Sequence, residues 1–129
     1  MKINTYDIDG VIYMGKDHVG LYPGPNDHII TGRSFEEEKE TVHMLKSRGI
    51  LNPLHMNPLT FDEKTRVSSG QHKGRTIKRL QEQGYQIGIH FEDDEIQAAE
   101  IRKIVPEVQV VMIVHDLVEK ENVRHEIIC

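Results

Sequence analysis

Ile3-Asn4-Thr5-Tyr6-Asp7-Ile8-Asp9-Gly10-Val11 is a short strand-like run, Ile3 to Tyr6, that stops on two carboxylates one residue apart. Side by side in a dry cleft, Asp7 and Asp9 would repel each other. A bound divalent cation removes that cost and favours the ionised forms. Gly10 lets the chain turn and lets the backbone approach a ligand closely. Taken alone, the same residues also describe a solvated Asp-x-Asp-Gly turn, so the flanking sequence has to separate the two readings.

Downstream, strand-like and helix-like segments alternate. His28-Ile29-Ile30-Thr31 is a second β-type run, ended by Gly32. Ser34 is placed to cap a helix, with Glu37 in capping-box position, Val42 and Leu45 at helical spacing and Gly49 at its end. Leu51 to Met56 reads as a third strand, and Pro53 inside it suggests an edge. Ser68-Ser69 precede a second helix carrying Ile77 and Leu80 on one face, closed by Gly84. Tyr85 to Phe91 alternates as a fourth strand, and a third helix through Ile96, Ala99, Ile101 and Ile104 stops before Pro106. Val108 to Val114 is nearly continuous in apolar residues, the pattern of a strand covered on both faces. Residues 115–129 read as either a last helix or a tail. Strands alternating with helices predict an α/β domain with a mostly parallel sheet. In such a sheet, ligands sit beyond the carboxyl ends of the strands.

Three strand ends carry polar signals. Asp7 and Asp9 follow the first. Thr31-Gly32-Arg33 follows the second, where a hydroxyl and free backbone N–H groups ahead of a helix suit a phosphate. Glu92-Asp93-Asp94 follows the fourth; acids suit a helix N-terminus, but three in succession exceed what capping requires and match oxygen ligands of a hard cation. Lys73 is expected near the start of the second helix, and Lys64 in the polar loop before it.

In that order the four signals resemble the signature motifs of the haloacid-dehalogenase superfamily, over about residues 2–114. Asp7-Ile8-Asp9-Gly10-Val11 is similar to its first motif, Ile30-Thr31 to its second, Lys73 to its third and Phe91-Glu92-Asp93 to its fourth. The resemblance implies a three-layer, Rossmann-like parallel sheet with helices on both faces, its first strand between the second and fourth. There is no room for a large cap. It further implies a Mg²⁺-dependent phosphohydrolase. Asp7 would be the nucleophile that forms an aspartyl-phosphate, and Asp9 the acid that protonates the leaving oxygen and then activates water. Thr31, Gly32, Arg33 and Lys73 would hold the substrate, and Mg²⁺ would be held by Asp7, Asp9 through its backbone carbonyl, and Asp93. Two assignments stay open: Lys64 competes with Lys73, and Glu92 and Asp94 compete with Asp93. An uncapped site should be open, suiting a bulky substrate or closure by an oligomeric neighbour. Thr31-Gly32-Arg33 and Leu54-His55-Met56-Asn57-Pro58 also resemble the phosphatase half of polynucleotide kinase-phosphatases. The substrate expected is therefore a phosphorylated small molecule, or a nucleotide or polynucleotide end as for a 3′-phosphatase. The alternative from another class is a catalytically silent binding or regulatory module.

Composition narrows the field further. At 129 residues the chain matches one domain with one core. Its formal charge of −5, with Lys and Arg scattered, offers no basic stripe for a nucleic-acid backbone. The 8 histidines are scattered in sequence without the spacing of a zinc site. The single cysteine, Cys129, allows no internal disulfide. No apolar run matches a signal peptide or a membrane span, so a cytoplasmic location is expected.

Overall fold

The structure is a computed structural model that describes residues 1–120. Five strands and three helices follow one another as β1 (Lys2–Tyr6), β2 (His28–Ser34), α1 (Glu38–Ser47), β3 (Leu54–Asn57), α2 (Arg66–Glu82), β4 (Gln86–Glu92), α3 (Glu95–Ile104) and β5 (Gln109–Met112). The strands form one sheet in the order β3-β2-β1-β4-β5, parallel throughout. Among the described residues no helix is long and apolar enough to cross a membrane.

The register places the chemistry. Tyr6 pairs with Ile29 on one side and Phe91 on the other, so β1, β2 and β4 run toward the same end nearly level. The chain leaves β1 outward through β2 and β3, then returns across it to β4. The order reverses beside β1, where a crevice opens in such sheets.

Alternation along the strands feeds two apolar clusters. Ile3, Ile30 and Ile87 pack with Ile77 and Leu80 of α2 and Ile101 of α3. Tyr6, Ile8 and Ile29 pack with Val11, Ile12, Leu45 of α1 and Ile50. Burying a side chain such as Ile77 or Ile12 fully contributes roughly 1.5–3 kcal/mol, so these clusters hold the strand ends in place.

Several local expectations are corrected. Ser34 caps a 3-10 turn over Phe35–Glu37, accepting from the Glu36 N–H rather than forming a box with Glu37, and α1 starts only at Glu38. Ser68 and Ser69 lie inside α2. Its cap is Thr65, whose hydroxyl accepts from the Ser68 N–H while the Ser68 hydroxyl accepts from the Thr65 N–H. β3 is an edge strand as expected, but Pro53 precedes it instead of interrupting it. β5 is the opposite edge, not a strand covered on both faces, and Val110, Val111 and Met112 are only half-buried. Its apolar run serves two partial contacts: Val110 leans on the α2–α3 cluster and Ile113 on the cluster beneath Tyr6. Residues 115–120 form neither helix nor strand, and the rest of the expected tail lies outside the described residues.

Candidate active site

Asp7 follows β1 directly, and its backbone N–H still donates to the Phe91 carbonyl at 3.1 Å, as if the strand ran one residue further. Its side chain is 5% exposed at residue level. Oδ1 accepts from the Ile8 N–H at 2.9 Å and lies 3.0 Å from Lys73 Nζ. Lys73 sits in the middle of α2, not at its start, and is completely buried. The same ammonium donates to Glu92 Oε1 at 2.9 Å. Glu92, the last residue of β4, also receives His90 Nε2 at 3.0 Å, and His90 Nδ1 lies 2.7 Å from the Thr5 hydroxyl. A carboxylate can only accept, so Nε2 carries the proton and Nδ1 accepts from Thr5. Burial, with Lys73 nearby, drives the His90 pKa well down and keeps this ring neutral.

Asp93 completes the group. Its Oδ2 is 3.0 Å from His115 Nε2, and its backbone carbonyl accepts from Lys120 Nζ at 2.6 Å. Carboxylate oxygens of Asp7, Glu92 and Asp93 all lie within 4.8 Å of one another. Gly10, at φ 83°, passes directly over them: a Cβ there would collide with the Asp93 carboxylate and the His115 ring. Burial, then the neighbouring Glu92, raises the Asp7 pKa well above the carboxylate range, with Lys73 pulling the other way. Burial and Asp7 push Asp93 up to about 7. Lys73 thus bridges Asp7 and Glu92 while Asp93 faces His115, and burial together with the mutual repulsion of the acids raises the two values. An all-oxygen donor set carrying excess negative charge fits a hard divalent cation.

The candidates at the end of β4 separate cleanly. Asp94 turns away, capping α3 through the Ile96 and Gln97 N–H groups and pairing bidentately with Arg66 at 2.7 and 2.8 Å. Although burial opposes it, Arg66 holds the Asp94 pKa low. Glu92 and Asp93 both stay with Asp7, Glu92 held by Lys73 and His90 and Asp93 by His115.

Asp9 is two residues past Asp7 but its carboxylate stands outside the cluster. Arg33 holds both oxygens, Nη2 to Oδ1 at 2.7 Å and Nε to Oδ2 at 2.9 Å. Burial opposes the Arg33 charge, yet the Asp9 contact raises its pKa. Thr31 is buried and its hydroxyl accepts from the Arg33 N–H at 3.0 Å. The Gly32 carbonyl accepts from Asn57 Nδ2 at 3.2 Å and Lys64 Nζ at 3.1 Å. Lys64 is therefore buried rather than solvated in a polar loop, with Nζ 5.6 Å over the Phe61 ring.

A cavity of about 440 Å³ opens beside Asp9 and Arg33, with Lys64 and Lys120 on its wall. Asp7 and Asp93 themselves are nearly covered, since His115 and Lys120 reach Asp93 from the chain after β5. Open space therefore lies mainly on the Asp9 side, with a smaller cavity of about 110 Å³ beside Asp93 and His115. His90, His115 and Thr5 were not singled out by sequence. The Thr5–His90 pair is recoverable only through register, because the two residues are neighbours across β1 and β4. His28 and His55, far apart in sequence, do meet at 2.9 Å, but among the described residues no third donor joins them.

Compared with known proteins, the chain matches no family model, no curated protein and no solved structure.

Proposed function

We propose that this chain is a Mg²⁺-dependent phosphohydrolase of the haloacid-dehalogenase type, its sheet the middle of a three-layer domain, acting on a phosphomonoester through an aspartyl-phosphate. The observation that carries this reading is the meeting of Asp7, Glu92 and Asp93, with Lys73 bridging the first two, at the carboxyl ends of two adjacent parallel strands. A purely structural role gives no reason to collect three buried acids within 4.8 Å of one another, since burying unpaired charge is costly.

Asp7 and Asp93 would hold Mg²⁺, which would neutralise charge on the transferring phosphoryl group. Lys73 and the Ile8 N–H restrain Asp7 Oδ1, which assigns the attack on phosphorus to Oδ2. As that bond forms, the ester P–O bond breaks and Asp9 gives a proton to the leaving oxygen. In the second step Asp9 takes a proton from water, the water oxygen attacks phosphorus, and Asp7 and phosphate are released. Glu92, held by His90, keeps Lys73 beside Asp7.

Turnover of a generic aryl phosphate with and without Mg²⁺ tests the reading. Hydrolysis that appears with Mg²⁺ and vanishes on chelation is expected. Undiminished hydrolysis after exhaustive chelation, or none with the cation present, contradicts it.

A further inference from the structure

The cavity beside Asp9 is lined by Asp9 and Arg33 but not by Asp7. If Asp7 attacks phosphorus and Asp9 protonates the ester oxygen, the leaving group lies on the Asp9 side, so this cavity is its place. Here the geometry poses a problem. Both Asp9 oxygens accept from the Arg33 guanidinium, at 2.7 and 2.9 Å, and neither can present a proton to a substrate while that fork stays closed. Arg33 cannot shed its charge. Among the described residues its guanidinium makes one further hydrogen bond, Nη1 to the Thr41 hydroxyl at 3.3 Å, while Glu37 on the same cavity wall acts on its charge without a hydrogen bond to it. Releasing Asp9 leaves a guanidinium, its side chain 21% exposed, with Glu37 nearby but no carboxylate hydrogen-bonded to its fork, a place an entering anion can take.

We infer that the substrate supplies that anion: its leaving group carries a second anionic group, carboxylate or phosphate, which takes Arg33 from Asp9 and frees Asp9 to act as the acid. The inference rests on the phosphohydrolase reading above. Charge balances across the exchange. One negative group enters the cavity, and Asp9 can then hold the proton it will donate, so the net charge around Arg33 is unchanged. Lys64 and Lys120 on the same wall favour an anionic end group, while Glu37 and Glu119 restrict where it can sit. A neutral leaving group leaves the fork on Asp9 and the acid unavailable. Arg33 thereby acts as a specificity residue in the chemical step as well as in binding.

The test compares ω-hydroxyalkyl phosphates with ω-carboxyalkyl and ω-phosphoalkyl phosphates of matched, increasing chain length, with Mg²⁺. Leaving-oxygen reactivity is similar within each set, so end-group charge is the variable. The charged end groups are expected to raise kcat/KM by roughly ten- to a hundredfold at the fitting length, the worth of a charge-assisted hydrogen bond. Part of that gain appears in kcat, because a freed Asp9 speeds the chemical step, whereas simple anchoring moves KM alone. Arg33→Gln should bring the ratio near one. Equal kcat for neutral and charged esters in the wild-type protein overturns the inference while leaving the phosphohydrolase reading intact. A preference that persists undiminished in folded Arg33→Gln overturns the assignment to Arg33. Failure to hydrolyse any ester, activated aryl phosphates included, removes the underlying reading and the inference with it. Whether carboxylate or phosphate is preferred identifies the natural end group.

Discussion

Lys73 and Lys64 are both fully buried cations, yet they do different things. Lys73 sits between Asp7 and Glu92, at 3.0 and 2.9 Å, whereas the Lys64 ammonium donates to the Gly32 carbonyl. Removing Lys73 leaves the Asp7 and Glu92 carboxylates without the ammonium that bridges them. Lys73→Ala is therefore expected to lower kcat/KM by at least about 100-fold, the usual scale for losing one charge-stabilising group in a site. Lys64→Ala should cost far less activity per folded molecule. Rates normalised to the folded fraction from thermal melts make the comparison, and the opposite ranking would transfer the phosphate-site lysine to Lys64. At this scale the sequence was informative where chemistry and position coincide. Asp7 and Asp9 were legible because an apolar strand stops on them. The sequence did not separate Glu92, Asp93 and Asp94, because what divides them is spatial. Arg66, 28 residues before Asp94 in the chain, claims that carboxylate and removes it from the cluster. The Arg33 fork on Asp9 was equally invisible, since a guanidinium near a phosphate site reads as a substrate contact until its partner is seen.

Helix starts illustrate a different limit. Ser68-Ser69 look like caps, but Thr65 takes that role because its backbone is extended, at φ −131° and ψ 171°, and Ser68 sits three residues on to reciprocate. Such a box satisfies two otherwise orphaned donors at once. Thr65→Ala should therefore destabilise the protein by about 1 kcal/mol, read as a lower urea midpoint with an unchanged slope. An unaltered midpoint would mean that packing of α2 against α3 alone sets where the helix begins. The alternation of strands and helices was legible throughout, as were five strands and three helices, because their apolar periods differ. Neither edge was read for the right reason. Pro53 marked β3 as an edge although it lies before the strand, and the apolar run Val108–Val114 disguised β5 as an interior one. Composition reports what a strand touches on its faces; strand order depends on crossovers, which local patterns do not encode.

For the whole molecule, two sets of buried groups pull stability in opposite directions with pH. Burial drives His55 and His72 down to about 4 and lowers His28 and His90 as well. The folded chain then binds fewer protons than the unfolded one, so their contribution is complete above about pH 6.5 and is lost as pH falls toward about 4. Asp7 and Asp93 are raised, so the folded, metal-free chain keeps protons that the unfolded chain releases. Their contribution is present below about pH 4 and is lost as pH climbs through the Asp93 value of about 7. Mg²⁺ bound as proposed, at Asp7 and Asp93, would have to displace those protons. Any rise in Tm produced by Mg²⁺ should accordingly be small at about pH 6 and grow as pH climbs through the Asp93 value of about 7. A Mg²⁺ effect that shrinks over this range would place the cation elsewhere. The central claim, that Asp7 forms the bond to phosphorus, has a more direct test. Asp9→Asn keeps Asp7, Lys73 and Asp93 but lacks the carboxylate proposed to activate water, a loss of typically about 10²- to 10⁴-fold for a general base. Mixed with Mg²⁺ and an aryl phosphate whose leaving group needs no protonation, then quenched rapidly in acid, this variant should gain the mass of one phosphoryl group. Peptide mapping should place it on Asp7, and Asp7→Asn should gain none. Phosphate on a histidine or serine, or wild-type turnover by Asp7→Asn, would contradict the account.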